Sequence, residues 1–147
     1  MSSMNFTAQI VIARPRKWVV ELIRNPEHFA EWQPGWHYGP MLVGEPNQVG
    51  SQRRVYVQMQ GVRLEMVETI LAYRPPEFFA SVYLARGVKN LVENRFYADS
   101  TDSTRWMMSN AFHFTGLMKF VGGLVGDVVP KQTVAAMQRV KQLAERS

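Results

Sequence analysis

The last thirty residues constrain this chain most. Leu117 to Arg146 reads as one long amphipathic helix that follows a run of strand-like segments. Its apolar positions include Phe120, Leu124, Val128, Val134, Met137 and Leu143, close to a 3.6-residue period. A helix of about 29 residues spans roughly 43 Å at 1.5 Å per residue. That exceeds the width of the sheet a domain this small can build, so the helix is expected to lie across the sheet. A twisted antiparallel sheet curling round one long helix leaves a space between them. The pattern therefore predicts a cavity, without naming what fills it.

The segments upstream supply the sheet. Asn5 to Ala13 alternates, with Phe6, Ala8, Ile10 and Ile12 on one side, as a strand does. Pro15 suits the first turn of a helix, and Trp18, Val19, Leu22 and Ile23 give that helix an apolar face. Asn25-Pro26 ends it, because the residue before a proline avoids the α region. Glu27 to Trp32 reads as a second short helix, broken by Pro34-Gly35. Further strands are expected at Trp36–Val43, Gln52–Gln60, Val62–Tyr73, Phe78–Ala85, Leu91–Ala98 and Thr104–Phe114. The last two form a hairpin across residues 99–103, and Gly116 opens the final helix. Pro130 inside that helix removes a backbone hydrogen bond and is expected to kink it. Gly122, Gly123 and Gly126 permit close packing or leave room for a ligand.

Residues 1–147 are read as a single domain, and 46% hydrophobic with 20% charged residues is ordinary for a globular protein. There is no cysteine, which excludes disulfides and thiolate metal sites. No apolar run reaches the roughly 20 residues that span a bilayer, so no stable membrane insertion is expected. The N-terminal segment lacks the basic-then-apolar order of a signal peptide, and a cytoplasmic location is expected. The formal charge of +5 could attract polyanions. The basic residues are scattered, however, and no block of five forms, which argues against nucleic acid as a partner. A monomer or homodimer is expected.

Pro15 and Trp18 in the first helix, Asn25-Pro26-Glu27 through Trp32-Gln33-Pro34, the turn at Gly50, the Pro75-Pro76 turn and the hairpin into the terminal helix form an ordered set over nearly the whole chain. In this order the chain resembles the START-like, or SRPBCC, superfamily, and within it the polyketide cyclase/dehydrase-like branch. The resemblance implies an α+β helix-grip fold: a curved antiparallel sheet of six to seven strands wrapped round a long C-terminal helix, with two short helices after strand one and a deep apolar pocket. It also implies a lipid, sterol, quinone, plant hormone or polyketide as the class of ligand, with cyclisation or dehydration in a few members. The loop from Gly44 to Gly50 lacks the glycine-dense pattern of the plant pathogenesis-related and hormone-binding members. Without cysteine no Rieske cluster can be held.

Strand alternation then nominates the pocket residues. Trp106, Met108, Asn110, Phe112 and Phe114 share the more aromatic face of the last strand and should meet the helix. By the same phase Phe96 faces in, as do Leu64, Met66, Glu68 and Ile70. A slip of one residue would reverse any of these assignments. The candidate ligand-binding set is Trp36, Met66, Glu68, Phe96, Trp106, Met108, Asn110, Phe112, Phe120 and Leu124. Glu68 and Asn110 are the candidate catalytic residues. A buried carboxyl has a raised pKa and suits general acid–base work, and an inward amide orients a ligand carbonyl. Glu65 and Glu93 are weaker candidates. Trp32, Pro34, Trp36 and Tyr38 cluster near the expected cavity entrance, either as a gate or as a staple for the short helix.

His28, His37 and His113 lie in no metal-ligand spacing, so no metal site and no cofactor are expected. Ser109 with His113 lacks an orienting acid and makes no nucleophile pair. Three functions remain: a binding module for a small hydrophobic or amphipathic molecule, a cyclase or dehydratase with Glu68 as general acid or base, and a quinone-chaperone or ribosome-associated partner protein. The inward set is far richer in apolar than in ionisable residues, which favours binding.

Overall fold

The computed structural model describes residues 3–59 and 61–146; the side chains at 59, 62, 120–125 and 127 lie outside that description. Seven strands form one sheet: β1 (Ser3–Ile12), β2 (Trp36–Val43), β3 (Gln52–Met59), β4 (Val62–Arg74), β5 (Phe78–Ala85), β6 (Val88–Ser100) and β7 (Ser103–Phe114). All pairs are antiparallel in the order β1-β7-β6-β5-β4-β3-β2. The helices are α1 (Arg16–Arg24), α2 (Phe29–Trp32, after a 3₁₀ turn at Pro26–His28) and α3 (Gly122–Arg146). The expected element order is the observed one. The β6–β7 hairpin is tighter than expected, with only Thr101 and Asp102 between its strands.

The terminal helix departs from expectation at its start and in its placement. Gly116–Val121 is a 3₁₀ turn and α3 begins at Gly122, so the helix has 25 residues. Gly116 turns the chain with φ +60°, and the Gly122-Gly123 pair is a weak α-helical start. Nor does α3 simply cross the sheet. It packs chiefly along the edge strand β1, with α1 and α2 also against it. Gly126 makes the close approach possible, since a Cβ there would lie 3.3 Å from the Met4 sulfur. The far end is tied down by polar contacts. The Ala13 N–H donates to Glu145 Oε2 (2.8 Å), the Arg14 Nε to the Ala144 carbonyl (2.8 Å) and the Lys141 ammonium to the Val11 carbonyl (2.8 Å). The Ala13 N–H, and then Lys141, hold the Glu145 carboxyl below its ordinary range. With α3 anchored on β1, the rest of the curved inner face stands clear of it.

Two helical faces are also displaced from the sequence reading. In α1 the buried residues are Val19, Val20 and Ile23, whereas Trp18 is 46% exposed and sits beneath the Arg14 guanidinium at 5.7 Å. In α3 the buried face is Ala136, Met137, Val140 and Ala144, while Val128 and Val134 are 46% and 48% exposed. Small residues carry the close contact there, and a pattern built on large apolar residues passes over alanine. The side chains of Phe120 and Leu124 lie outside the described residues.

Gly35 sets the start of β2. It has φ +87°, its carbonyl accepts from Gln58 N–H at 2.8 Å, and an added Cβ would lie 2.3 Å from the Gln58 carbonyl oxygen. Gly35→Ala is therefore expected to lower stability by about 1–3 kcal/mol, the range for a strained backbone site. Urea denaturation measures it, and a change below 0.5 kcal/mol, within the scatter of ordinary surface substitutions, would contradict this role.

Candidate ligand cavity

Alternation along each strand sends every second side chain toward α3. Because α3 rests on β1, the inward residues of β2 to β7 enclose a cavity of about 450 Å³, closed on its other side by α2 and by α3 from Val129 to Arg139. That volume falls within the range of small-molecule sites. The end nearest the β5–β6 turn is apolar, lined by Leu64, Val88, Phe112, Phe114 and Met118. The end nearest the β4–β5 turn carries Arg24 over the rings of Tyr73 (5.7 Å) and Phe79 (5.0 Å). Trp32, Pro34, Trp36 and Tyr38 all contribute to the wall. Tyr38 stacks on Phe29 at 4.2 Å between ring centres, which staples the segment around α2 to β2.

Of the nominated ligand-binding residues, Trp36, Met66, Trp106, Met108, Asn110 and Phe112 line the cavity. Phe96 faces inward but is packed as core between Phe79 and Trp106, with ring centres at 5.4 and 5.9 Å. Glu68 is inward and 3% exposed, yet it stands behind the wall and accepts a hydrogen bond from the Tyr83 hydroxyl at 2.7 Å. The two candidate catalytic residues are not together: Glu68 joins the polar end, and Asn110 belongs to a row of amides on β6 and β7. There Asn90 Nδ2 donates to Asn110 Oδ1 (3.3 Å), and the Trp106 indole N–H donates to Asn94 Oδ1 (2.9 Å). Glu65 is exposed and lies 3.5 Å from Arg54. Glu93 is half-buried, on a shallow depression of the opposite sheet face.

The polar end is a set of residues that the sequence reading did not assemble. Arg53 lies opposite Glu68 across the β3–β4 pair and its guanidinium covers the Tyr38 ring at 4.3 Å. Burial, and then the Glu68 charge, push the Tyr83 phenol well above its ordinary range and raise Tyr38 in the same sense. Burial works against the Arg24 cation, but the oxygens of Tyr38, Glu68 and Tyr83 outweigh it and its pKa is raised. Both phenols therefore stay neutral donors and Arg24 stays charged at neutral pH. Arg24 also donates to the Asn47 side chain in the β2–β3 loop.

Among the described residues, the buried side-chain polar atoms without a protein partner are Arg24 Nε, Trp32 Nε1 and Asn110 Nδ2. All three are N–H donors on residues that line the cavity. A buried unsatisfied donor costs about 1–3 kcal/mol. The lining is thus largely apolar, with three buried donors lacking a protein partner on its residues. The histidines take no part: His37 and His113 are exposed, and His28 pairs with Glu31 at 2.9 Å. Among the described residues no group of three His, Asp or Glu side chains converges on a metal site, and no helix is long and apolar enough to cross a membrane.

Comparison with known proteins adds the family. Residues 3–145 match the family model described as polyketide cyclase / dehydrase and lipid transport. No curated protein matches the chain in sequence. Among solved structures, the aromatase/cyclase Zhui from Streptomyces sp. R1128 superposes with a TM-score of 0.77 at 18% identity, covering 98% of this chain and 94% of that one. A START superfamily protein from Mycobacterium smegmatis gives 0.76 at 12% identity, covering 97% of each chain. Norcoclaurine synthase from Thalictrum flavum gives 0.70 at 15% identity, with 98% and 95% covered. At these identities the likeness shows the shared helix-grip fold.

Proposed function

The chain belongs to the polyketide cyclase / dehydrase and lipid transport family, and from that premise we propose that it binds one small hydrophobic or amphipathic molecule, lipid-, quinone- or polyketide-like, in the cavity between sheet and α3. The observation that carries this reading is the lining: a largely apolar enclosure of about 450 Å³, three of whose residues carry a buried N–H donor without a protein partner. Apolar walls supply affinity through burial, and a few fixed donors orient the ligand. On this reading Asn110 orients a ligand carbonyl, and Asn90 Nδ2 donates to its amide oxygen. Native mass spectrometry of freshly purified protein, with organic extraction of what it carries, tests the reading. A stoichiometric ligand with an apolar body and oxygen acceptors is the expected result. An apo mass together with failure to bind any apolar dye would sink it.

A second reading is an enzyme of the cyclase or dehydratase type, and it rests on the Tyr83–Glu68 hydrogen bond in the cavity wall. Tyr83 faces the cavity and Glu68 accepts its proton-bearing contact, which is the geometry of a relayed acid–base pair. Glu68→Gln is expected to abolish turnover of a cyclic ketone panel on this reading. On the binding reading it scarcely changes the affinity for a neutral apolar ligand.

A further inference from the structure

The polar end of the cavity carries an excess of positive charge that nothing described in the protein balances. Arg24 lines it, and behind its wall Arg53 and Glu68 lie opposite each other across the β3–β4 pair. Among the described residues neither guanidinium makes an ion pair within 4.0 Å; the pairs are His28–Glu31, Arg54–Glu65, Arg105–Asp99 and Lys141–Glu145. Arg53 is spent on the Tyr38 ring and the Met41 sulfur, 3.3 Å from its Nε. Arg24 lines the cavity, and its Nε–H is buried without an acceptor. Tyr38 and Tyr83 line the same cavity, within electrostatic reach of Arg24. A buried cation is costly unless a counter-charge meets it.

Resting on the binding reading above, we infer that the ligand is an amphipathic acid: a single oxyanion, carboxylate-like, seated against Arg24 beside the Tyr38 and Tyr83 hydroxyls, with its apolar body running toward Val88, Phe114 and Met118. One negative charge brings the cluster of Arg24, Arg53 and Glu68 to neutrality. It also gives the Arg24 guanidinium a counter-charge. A neutral alkyl or aryl ligand of the same shape leaves that charge unmet. Glu68 then has a definite part, distinct from acid–base chemistry. It restrains the positive field at this end, so that one anion is held and a dianion is not favoured. It also orients the Tyr83 hydroxyl through the 2.7 Å hydrogen bond.

The test is a fluorescence titration with two dyes of like aromatic frame, anionic 8-anilinonaphthalene-1-sulfonate and neutral N-phenyl-1-naphthylamine. The readout is the ratio of their affinities, which cancels changes common to both. The wild-type protein is expected to prefer the anionic dye. Arg24→Met is expected to lower the ratio about ten- to hundredfold, the worth of a charged hydrogen bond. Arg24→Lys keeps the charge and should hold the ratio within a few-fold of wild type. Glu68→Gln adds to the positive excess and should raise it. Circular dichroism checks that each variant folds; should Arg24→Met not fold, the rise expected in Glu68→Gln still decides. A ratio that ignores Arg24, or falls in Glu68→Gln, overturns the inference while leaving the binding reading intact. If neither dye binds the wild-type protein, both fall.

Discussion

Trp106→Ala is expected to remove about 3–5 kcal/mol of stability, the cost of emptying a large aromatic from a core. Set against a total of about 5–15 kcal/mol for a domain, that is enough to leave a substantial unfolded fraction at room temperature. Trp106 is 0% exposed and joins three parts of the fold. Its ring stacks on Phe96 of β6 at 5.9 Å and meets Trp32 of α2 edge-on at 6.2 Å. Its indole N–H is given to Asn94 at 2.9 Å, so truncation also strands a buried amide oxygen. Trp106→Phe keeps most of the ring contact and loses only that hydrogen bond, and should cost about 1–3 kcal/mol. Urea denaturation of the three proteins measures both values. A loss below 1 kcal/mol for the alanine variant would mean that the Trp32–Trp106–Phe96 stack does not hold α2 to the sheet.

How far this architecture was legible depends on how local its cause is. The strand phases were readable because alternation is a property of adjacent residues: Trp106, Met108 and Asn110 face inward as the period demands, and so does Glu68. The turns were readable wherever glycine or proline forces them, as at Gly35 and Pro75-Pro76. The helix faces were readable only in part: Val19, Ile23 and Met137 are buried as the period demands, whereas Trp18, Val128 and Val134 are not. Reading large apolar residues as the buried stripe passes over Ala136, Ala144 and Gly126 in α3, where the two alanines are buried and Gly126 lets Met4 of β1 come close. Trp18 misled for the converse reason, since a large ring can be covered by a guanidinium on the surface. The polar end of the cavity was least legible. Arg24, Tyr38, Glu68 and Tyr83 come from α1, β2, β4 and β5, and only the closed sheet brings them together. A faint local signal existed: Arg24 lies one residue after Ile23 in α1, a position that can reach back over a buried face. Nothing in the sequence says what it reaches.

Ala136→Phe is expected to abolish ligand binding, by a hundredfold or more in Kd, at a stability cost of about 1–3 kcal/mol, the range for a larger side chain at a packed position. Ala136 lies in the middle of the α3 segment that closes the cavity, where it lines the cavity and also belongs to the buried core. A phenyl group there occupies room that the ligand needs. The substitution adds no charge and removes no hydrogen bond, so it separates occupancy of the cavity from the electrostatics of Arg24. It also separates the cavity from every surface of the protein. A partner that docks outside would be indifferent to it, whereas a ligand or substrate held between sheet and helix would be lost together with any turnover. Titration of the variant with the neutral and anionic dyes, beside a thermal melt, gives both numbers. Retained affinity in a folded variant would place the ligand somewhere other than the space between α3 and the sheet, and a large loss of stability would show that this part of α3 is packed core with no room to give.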